Sequence, residues 1–100
     1  MHAIAGLISG LEHANWGVRL QSAHSLGAVG KNSPDAMNAL IKTTKDVDGR
    51  VRNEAITALG HLGEKAIPVL EELSKEKLTR ERATTVLEQV QSLYGIKPAR

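Results

Sequence analysis

The sequence predicts an all-α fold, an α-α superhelix built from about three antiparallel helical hairpins. The first observation is an internal repeat: VRLQSAHSLGAVG (18–30) returns 33 positions later as VRNEAITALGHLG (51–63). Self-similarity at periods of about 20 to 50 residues is typical of solenoids, whose units bury their apolar faces against their neighbours. The second observation is the helical i, i+3, i+4, i+7 spacing of apolar residues within each unit, as in Ile4, Leu7, Ile8 and Leu11.

The repeat covers nearly the whole chain. AIAGLISGLEHANWGVR (3–19) aligns without gaps on AMNALIKTTKDVDGRVR (36–52), and a shorter third copy follows within residues 66–90. We therefore expect one repeat domain over residues 1–95, followed by a short basic tail over residues 96–100. Six helices are predicted, near residues 3–12, 16–29, 34–45, 49–62, 65–76 and 79–94.

Residues that favour helix ends mark these boundaries. Ser33 and Pro34 suit the start of a helix, and we expect Asn15, Asp48 and Thr79 to cap the helices that follow them. Glycines that end helices in a left-handed conformation are expected at three positions. They are Gly30, Gly63 and Gly95.

Gly27 and Gly60 lie inside predicted helices, where glycine costs about 1 kcal/mol relative to alanine. They occupy the same position in two successive units. Their recurrence predicts that the backbone of a neighbouring helix passes too close for a Cβ atom.

The composition suits a globular protein and excludes several kinds of chemistry. Apolar residues make up 41% of the chain, charged residues 24%, and the net charge is +2. The absence of cysteine excludes disulfides, thiolate metal sites and a cysteine nucleophile. The N-terminal apolar run is short, interrupted by glycine and not preceded by a basic residue, unlike a signal peptide or a membrane span. We expect a cytoplasmic protein without a membrane segment.

Asp or Asn before a Val-Arg pair, followed by Ala-x-x-Leu-Gly-x-Ile/Leu-Gly, resembles HEAT repeats. The resemblance is to the short type also found in phycobilin lyases and deoxyhypusine hydroxylase. It runs over residues 3–93 as about two and a half units, and DVDGRVRNEAITALGHLG (46–63) carries it most clearly. It implies a scaffold, because such repeats serve many unrelated roles.

The resemblance also implies structural roles for the arginines that follow Val in this motif. In such repeats this Arg bonds to an acidic or carbonyl group in the turn between helices. Arg19, Arg52 and Arg80 match the position, and Asp46 and Asp48 are the expected partners of Arg52. Because the first unit has no aspartate in its turn, we expect Arg19 to reach forward to Asp46 or Asp48.

An enzymatic role is disfavoured, and we predict no catalytic residue, no metal and no cofactor. The di-iron ligands of deoxyhypusine hydroxylase follow the Val-Arg position as His-Glu pairs. Only Glu54 keeps a ligand type there, and a di-iron centre needs several converging oxygen and imidazole ligands. The four histidines occupy different repeat positions, so we do not expect them to meet. A bilin pocket would need aromatic residues, and the chain has two. A remnant of a metal- or bilin-dependent enzyme is the third reading of the sequence.

The function we favour is a non-catalytic scaffold that binds a protein partner through its concave helix face or its N-terminal edge. We expect the predicted helices 3–12, 34–45 and 65–76 to line the concave side. Exposed Trp is enriched in binding hot spots, and the unit that follows has glycine at the position of Trp16. The candidate partner-binding residues are Trp16, Asn38, Lys42, Lys45 and Arg50. The alternative is weak nucleic-acid or ribonucleoprotein binding through a basic ridge at Lys42, Lys45 and Arg50. The sequence leaves the oligomeric state open.

Overall fold

A computed structural model describes residues 3–96, and this part of the chain contains six α-helices, one short turn of 3-10 helix and no strand. The helices are α1 (Ala3–Gly10), α2 (Trp16–Val29), α3 (Pro34–Thr43), α4 (Gly49–His61), α5 (Ile67–Leu73) and α6 (Arg80–Leu93). The predicted all-α fold and the number and order of its helices are confirmed. Met1, His2 and Lys97–Arg100 lie outside the described residues, and so does most of the predicted tail.

The helices at 65–76 and 34–45 are shorter than predicted. The chain forms a 3-10 turn over Glu64–Ala66 before α5 begins at Ile67. Pro68 occupies the first turn of α5, where its missing N–H costs nothing. α3 ends at Thr43, two residues earlier than predicted. The hydroxyl of the next residue, Thr44, donates to the carbonyl of Ile41 at 2.6 Å.

The six helices form three hairpins arranged in two rows. α1 packs on α2, α3 on α4, and α5 on α6. α2, α4 and α6 also pack directly side by side, whereas α1, α3 and α5 meet their own hairpin partners far more than one another. In a two-layer stack, the more tightly packed row lies on the inner side of the curve. The concave face therefore belongs to α2, α4 and α6, and the expectation that helices 3–12, 34–45 and 65–76 line it is wrong.

The close approach of α2 and α4 depends on Gly27. A Cβ atom at Gly27 would lie 2.8 Å from the Cβ and 2.9 Å from the Cα of Ala58 in α4. This confirms the prediction that a neighbouring backbone passes too close for a side chain. At Gly60 the prediction is wrong in one respect, because the atom that a Cβ would meet belongs to the side chain of Val86 in α6.

Most of the predicted helix caps form. The side chains of Asn15, Ser33 and Asp48 accept hydrogen bonds from backbone N–H groups of the following turn at 2.7, 3.1 and 2.8 Å. These bonds satisfy donors that a helix start otherwise leaves unpaired. Thr79 does not cap α6. Its buried hydroxyl donates instead to the carbonyl of Leu73 at 2.7 Å.

Two of the three predicted left-handed glycines are present. Gly63 and Gly95 have φ angles of 91° and 66°, which residues with a Cβ rarely adopt. The prediction for Gly30 is wrong, since its φ is −96°. Close packing explains glycine there, because a Cβ would lie 2.6 Å from the carbonyl oxygen of Leu26 and 2.7 Å from the Cβ of Ala36.

The contact at Gly27 generates a first prediction. The substitution Gly27→Ala should destabilise the protein by about 1 to 3 kcal/mol, because the added methyl overlaps the backbone of α4. Gly6→Ala is the matched control, since no atom lies within 4 Å of a Cβ at this helical position. It should raise stability by about 0.5 to 1 kcal/mol through helix propensity. Urea denaturation of both variants measures the difference, and equal effects would contradict the packing argument.

Candidate functional site

Arg19 joins the first hairpin to the second. Its Nε and Nη2 donate to the two carboxylate oxygens of Asp46 at 2.8 and 3.1 Å. Its Nη1 donates to the carbonyls of His13 and Ala14 at 2.9 and 3.1 Å. The side chains of Arg19 and Asp46 are only 14% and 10% exposed, so this two-bond pair is shielded from water. Two-bond arginine–carboxylate pairs fix geometry as well as adding energy.

Arg52 repeats part of this arrangement in the second hairpin. Its Nη1 donates to the carbonyls of Asp46 and Val47 at 2.9 and 3.3 Å. Arg19 and Arg52 thus each bond to the carbonyls six and five residues earlier, which closes the turn in front of the helix. Of the two expected partners, Asp46 bonds to Arg52 through its backbone carbonyl, and the expectation for Asp48 is wrong. The Asp46 carboxylate is bonded to Arg19, and that of Asp48 to Arg50.

Arg80 does not perform this role. It is exposed, and among residues 3–96 its side chain makes no hydrogen bond or ion pair. The reason is the shorter third unit: α6 begins at Arg80, whereas α4 begins three residues before Arg52. The third turn is closed instead by Thr79, which donates to the carbonyl of Leu73, also six residues earlier.

Trp16, Arg50 and Asp48 form a cluster between the starts of α2 and α4. The guanidinium carbon of Arg50 lies 3.4 Å from the centre of the Trp16 ring, in the geometry of a cation–π contact. Arg50 also donates from Nε and Nη2 to the two carboxylate oxygens of Asp48 at 3.1 and 2.8 Å. The sequence assigned Trp16 and Arg50 to partner binding on separate grounds, and the structure brings them together.

The two aspartates keep their charges to low pH. Hydrogen bonds from the side chain and backbone of Arg50, together with its positive charge, outweigh desolvation and lower the pKa of Asp48 to about 2. Partial burial alone would raise the pKa of Asp46. The hydrogen bond from Arg19, the backbone N–H of Asp48 and the charge of Arg19 lower it below its ordinary value.

Large exposed apolar residues follow the same side of the stack. Trp16 is 40% exposed, and Val47 and Leu78, each directly before an N-cap position, are 91% and 70% exposed. Leu78 borders a surface pocket with Gly49, so this row continues from hairpin two to hairpin three. We call Trp16, Val47, Arg50 and Leu78 the turn edge. Val47 and Leu78 were not predicted from the sequence, although both stand directly in front of a helix N-cap position.

Of the other predicted partner-binding residues, Asn38 and Lys42 lie on α3, in the outer row, and Lys45 lies in the turn that follows α3. Asn38 is exposed, and Lys42 borders a 220 Å³ pocket between α1 and α3 together with Glu12 and Asp46. Lys45 pairs with Glu76. The five predicted residues thus divide between α3, the turn after it and the turn edge. The basic ridge is also closely interleaved with carboxylates.

The concave face carries a contact that the sequence analysis did not foresee. His24 of α2 and Glu54 of α4 meet at 3.0 Å between Nδ1 and Oε2. At the equivalent position of the next pair of helices, Arg82 contacts the hydroxyl of Thr57 at 3.5 Å. The signal was available in the repeat, because residues about one unit less one helical turn apart face each other across a parallel helix pair.

Within residues 3–96 no three His, Asp or Glu side chains are grouped closely enough to hold a metal ion. No described helix is long and apolar enough to cross a membrane.

The Arg19–Asp46 pair should show strong energetic coupling. In a double-mutant cycle of Arg19→Met and Asp46→Asn, we expect a coupling of about 1 to 3 kcal/mol, since hydrogen bonds to charged groups in a shielded site contribute at this level. The same cycle on Lys75 and Glu72, a pair that is 71% and 72% exposed, should give less than about 0.5 kcal/mol. Denaturation curves of the seven proteins, with the unmodified chain common to both cycles, supply both values, and equal couplings would contradict the structural role.

The carboxylate titrations give a further prediction. Because the folded pKa of Asp48 lies below the unfolded value of about 3.9, its contribution to stability is complete above that value and is lost as the pH falls toward 2. NMR titration of the carboxyl carbon should give a pKa of about 2 for Asp48. Arg50→Met should raise the pKa of Asp48 and leave that of Asp46 nearly unchanged, whereas Arg19→Met should do the reverse. A common shift in both variants would refute the separate pairings.

The comparisons with known proteins agree with this geometry. A family model described as HEAT repeats matches residues 4–89, which includes parts of all six helices. Neither the curated proteins nor the solved structures gave a match. The family match spans the repeat, its turn arginines and its interlocking glycines, and the chain therefore belongs to the HEAT repeat family.

Proposed function

We propose that this chain is a non-catalytic protein-interaction module and that its partner docks on the turn edge. HEAT repeats are generally protein-interaction scaffolds, and the family is typically non-catalytic. The observation that carries the choice of surface is the stacking of Arg50 on the exposed ring of Trp16. Val47 and Leu78 extend this surface over the second and third hairpins.

The turn edge has the composition and the rigidity of a binding hot spot. Trp and Arg are the residues most enriched among those that dominate binding energy. Arg50 is already held by two hydrogen bonds to Asp48 and by the Trp16 ring. A partner therefore loses less free energy in ordering these side chains than it would with mobile ones.

The charges on the turn edge favour a partner that binds through apolar and aromatic side chains. Asp48 compensates the charge of Arg50, so the surface offers little net attraction for an acidic segment. The exposed apolar residues recur along the stack, from Trp16 through Val47 to Leu78. Such a row suits a helix or an extended segment that runs across the hairpins.

The nucleic-acid alternative has less support from the geometry. Lys45 pairs with Glu76 and Arg50 with Asp48, while Lys42 shares its pocket with two carboxylates. Affinity for a phosphate backbone depends on uncompensated Lys and Arg, which release counterions on binding. Elution from heparin below about 0.15 M salt is expected, and retention well above it would favour nucleic acid. The geometry adds no support to the reading as a metal- or bilin-dependent enzyme.

Capture from native cell extract tests the docking surface. We expect Trp16→Ala to reduce recovery of a specific partner at least about thirtyfold, because a hot-spot residue contributes 2 kcal/mol or more. Leu93→Ala is the matched control. Leu93 is 80% exposed and ends α6, on the opposite side from the helix starts that form the turn edge.

A site-specific crosslink locates the contact independently of affinity. A photoreactive amino acid at position 47 should crosslink to the captured partner, and the same group at position 93 should not. Unchanged recovery with Trp16→Ala, or crosslinking from position 93 alone, would refute the assignment of the turn edge.

A further inference from the structure

We propose that two copies of this chain associate through the N-terminal end of the stack, with α2 antiparallel to α2 of the second copy. This surface is separate from the turn edge, so either proposal can fail without the other. The N-terminal face consists of the outward positions of α1 and α2. These are Gly6, Ser9, Val18, Gln21, Ser25 and Val29.

The repeat identifies this face as a helix-packing surface. In α4, Val51, Ala58 and Leu62 lie along one side of the helix and are 0 to 1% exposed, and Ala58 contacts α2. The equivalent residues of α6, 28 positions later, are Thr79, Val86 and Val90, and they are 2 to 4% exposed. The preceding hairpin packs on this side, because Ala58 lies against Gly27 of α2 and Val86 and Val90 lie next to Gly60 of α4.

In α2 the same positions are uncovered. Val18 and Val29, the equivalents of Val51 and Leu62, are 39% and 56% exposed. Ser25, at the position of Ala58, is as small as the residue that lets α2 and α4 approach closely. None of the residues of α1 is buried. The face therefore keeps the shape of an interface between helices, and within residues 3–96 no helix covers it.

The other end of the stack does not complement this face. Gly27 of α2 and Gly60 of α4 are the positions at which the next hairpin packs closely, and the equivalent residue of α6 is Glu88. Thr84 likewise replaces the buried Ile56 and is exposed. A second copy that offered its C-terminal end would bring a charged side chain to the point of closest contact. Head-to-tail stacking is disfavoured for this reason.

The N-terminal face is suited to pairing with itself. Residues 3–10 contain no charged side chain, and the outward positions of α2 contain none. In a two-fold arrangement the same surface of both copies meets itself, so charged residues on it would bring like charges together. The absence of charged residues from this face means that no such repulsion opposes its pairing. In the antiparallel arrangement, Val18 of one copy faces Val29 of the other, while Gln21 and Ser25 lie near the two-fold axis.

Light scattering after size exclusion, over a series of protein concentrations, tests this proposal. The chain should approach twice its monomer mass of 10.7 kDa as the concentration rises. Val18→Lys and Val29→Glu should each weaken association at least about tenfold, because each places two unpaired charges, one from each copy, in the interface. An equimolar mixture of the two variants should associate more tightly than either alone, since the ammonium introduced by Val18→Lys then faces the carboxylate introduced by Val29→Glu.

The control is Leu93→Lys, which adds the same charge at a residue that is 80% exposed and lies outside both the face and the turn edge. Its association should equal that of the unmodified chain, and circular dichroism should show unchanged helix content for all variants. A monomer mass at all concentrations would overturn the proposal. So would association that is insensitive to Val18→Lys and Val29→Glu, or a mixture that associates no better than its components.

Discussion

The close contact between α2 and α4 at Gly27 sets the spacing on which the rest of the structure depends. With Ala58 directly against a residue without a side chain, the inner row becomes tighter than the outer one. That difference curves the stack and places α2, α4 and α6 on the concave side. It also brings the starts of these parallel helices close enough for Arg19 to reach Asp46 and for Arg50 to reach Trp16.

Hydrogen bonds in the turns hold the surface at the starts of these helices in a fixed arrangement. Arg19 and Arg52 close the turns in front of α2 and α4 through the same two backbone carbonyls, and Thr79 closes the third. Arg19 alone extends to the next hairpin. Asp48 serves both as a helix cap and as the partner of Arg50. The proposed docking surface is therefore built on the same hydrogen bonds that close the turns, which limits how far its side chains can move.

The fold could be predicted from the sequence because it follows from periodicity, and the structural role of Arg19 because the resemblance to HEAT repeats implies it. The 33-residue repeat places residues in equivalent positions, and the helical spacing defines the buried side. The predictions that were wrong concern residues whose role depends on the local length of a helix or on which of several hydrogen bonds forms. Arg80 lost its role because the third unit lacks one helical turn, and Thr79 bonds to Leu73 instead of capping α6. Close packing rather than a positive φ angle requires glycine at position 30, and the repeat pattern alone does not distinguish these two reasons. The division of the candidate binding residues also required coordinates, since it depends on which row of helices lies inside the curve.

The polar character of α6 at Glu88 and Thr84 bears on how such an array can lengthen. A unit added after α6 would meet a carboxylate where its predecessors offer glycine, so growth at that end requires compensating substitutions. Duplication of an interior segment of 33 residues would leave both ends as they are and create a junction of a kind that the chain already contains. Insertion of a further unit between α2 and α4 is thus physically easier than the packing of a further hairpin directly on α6.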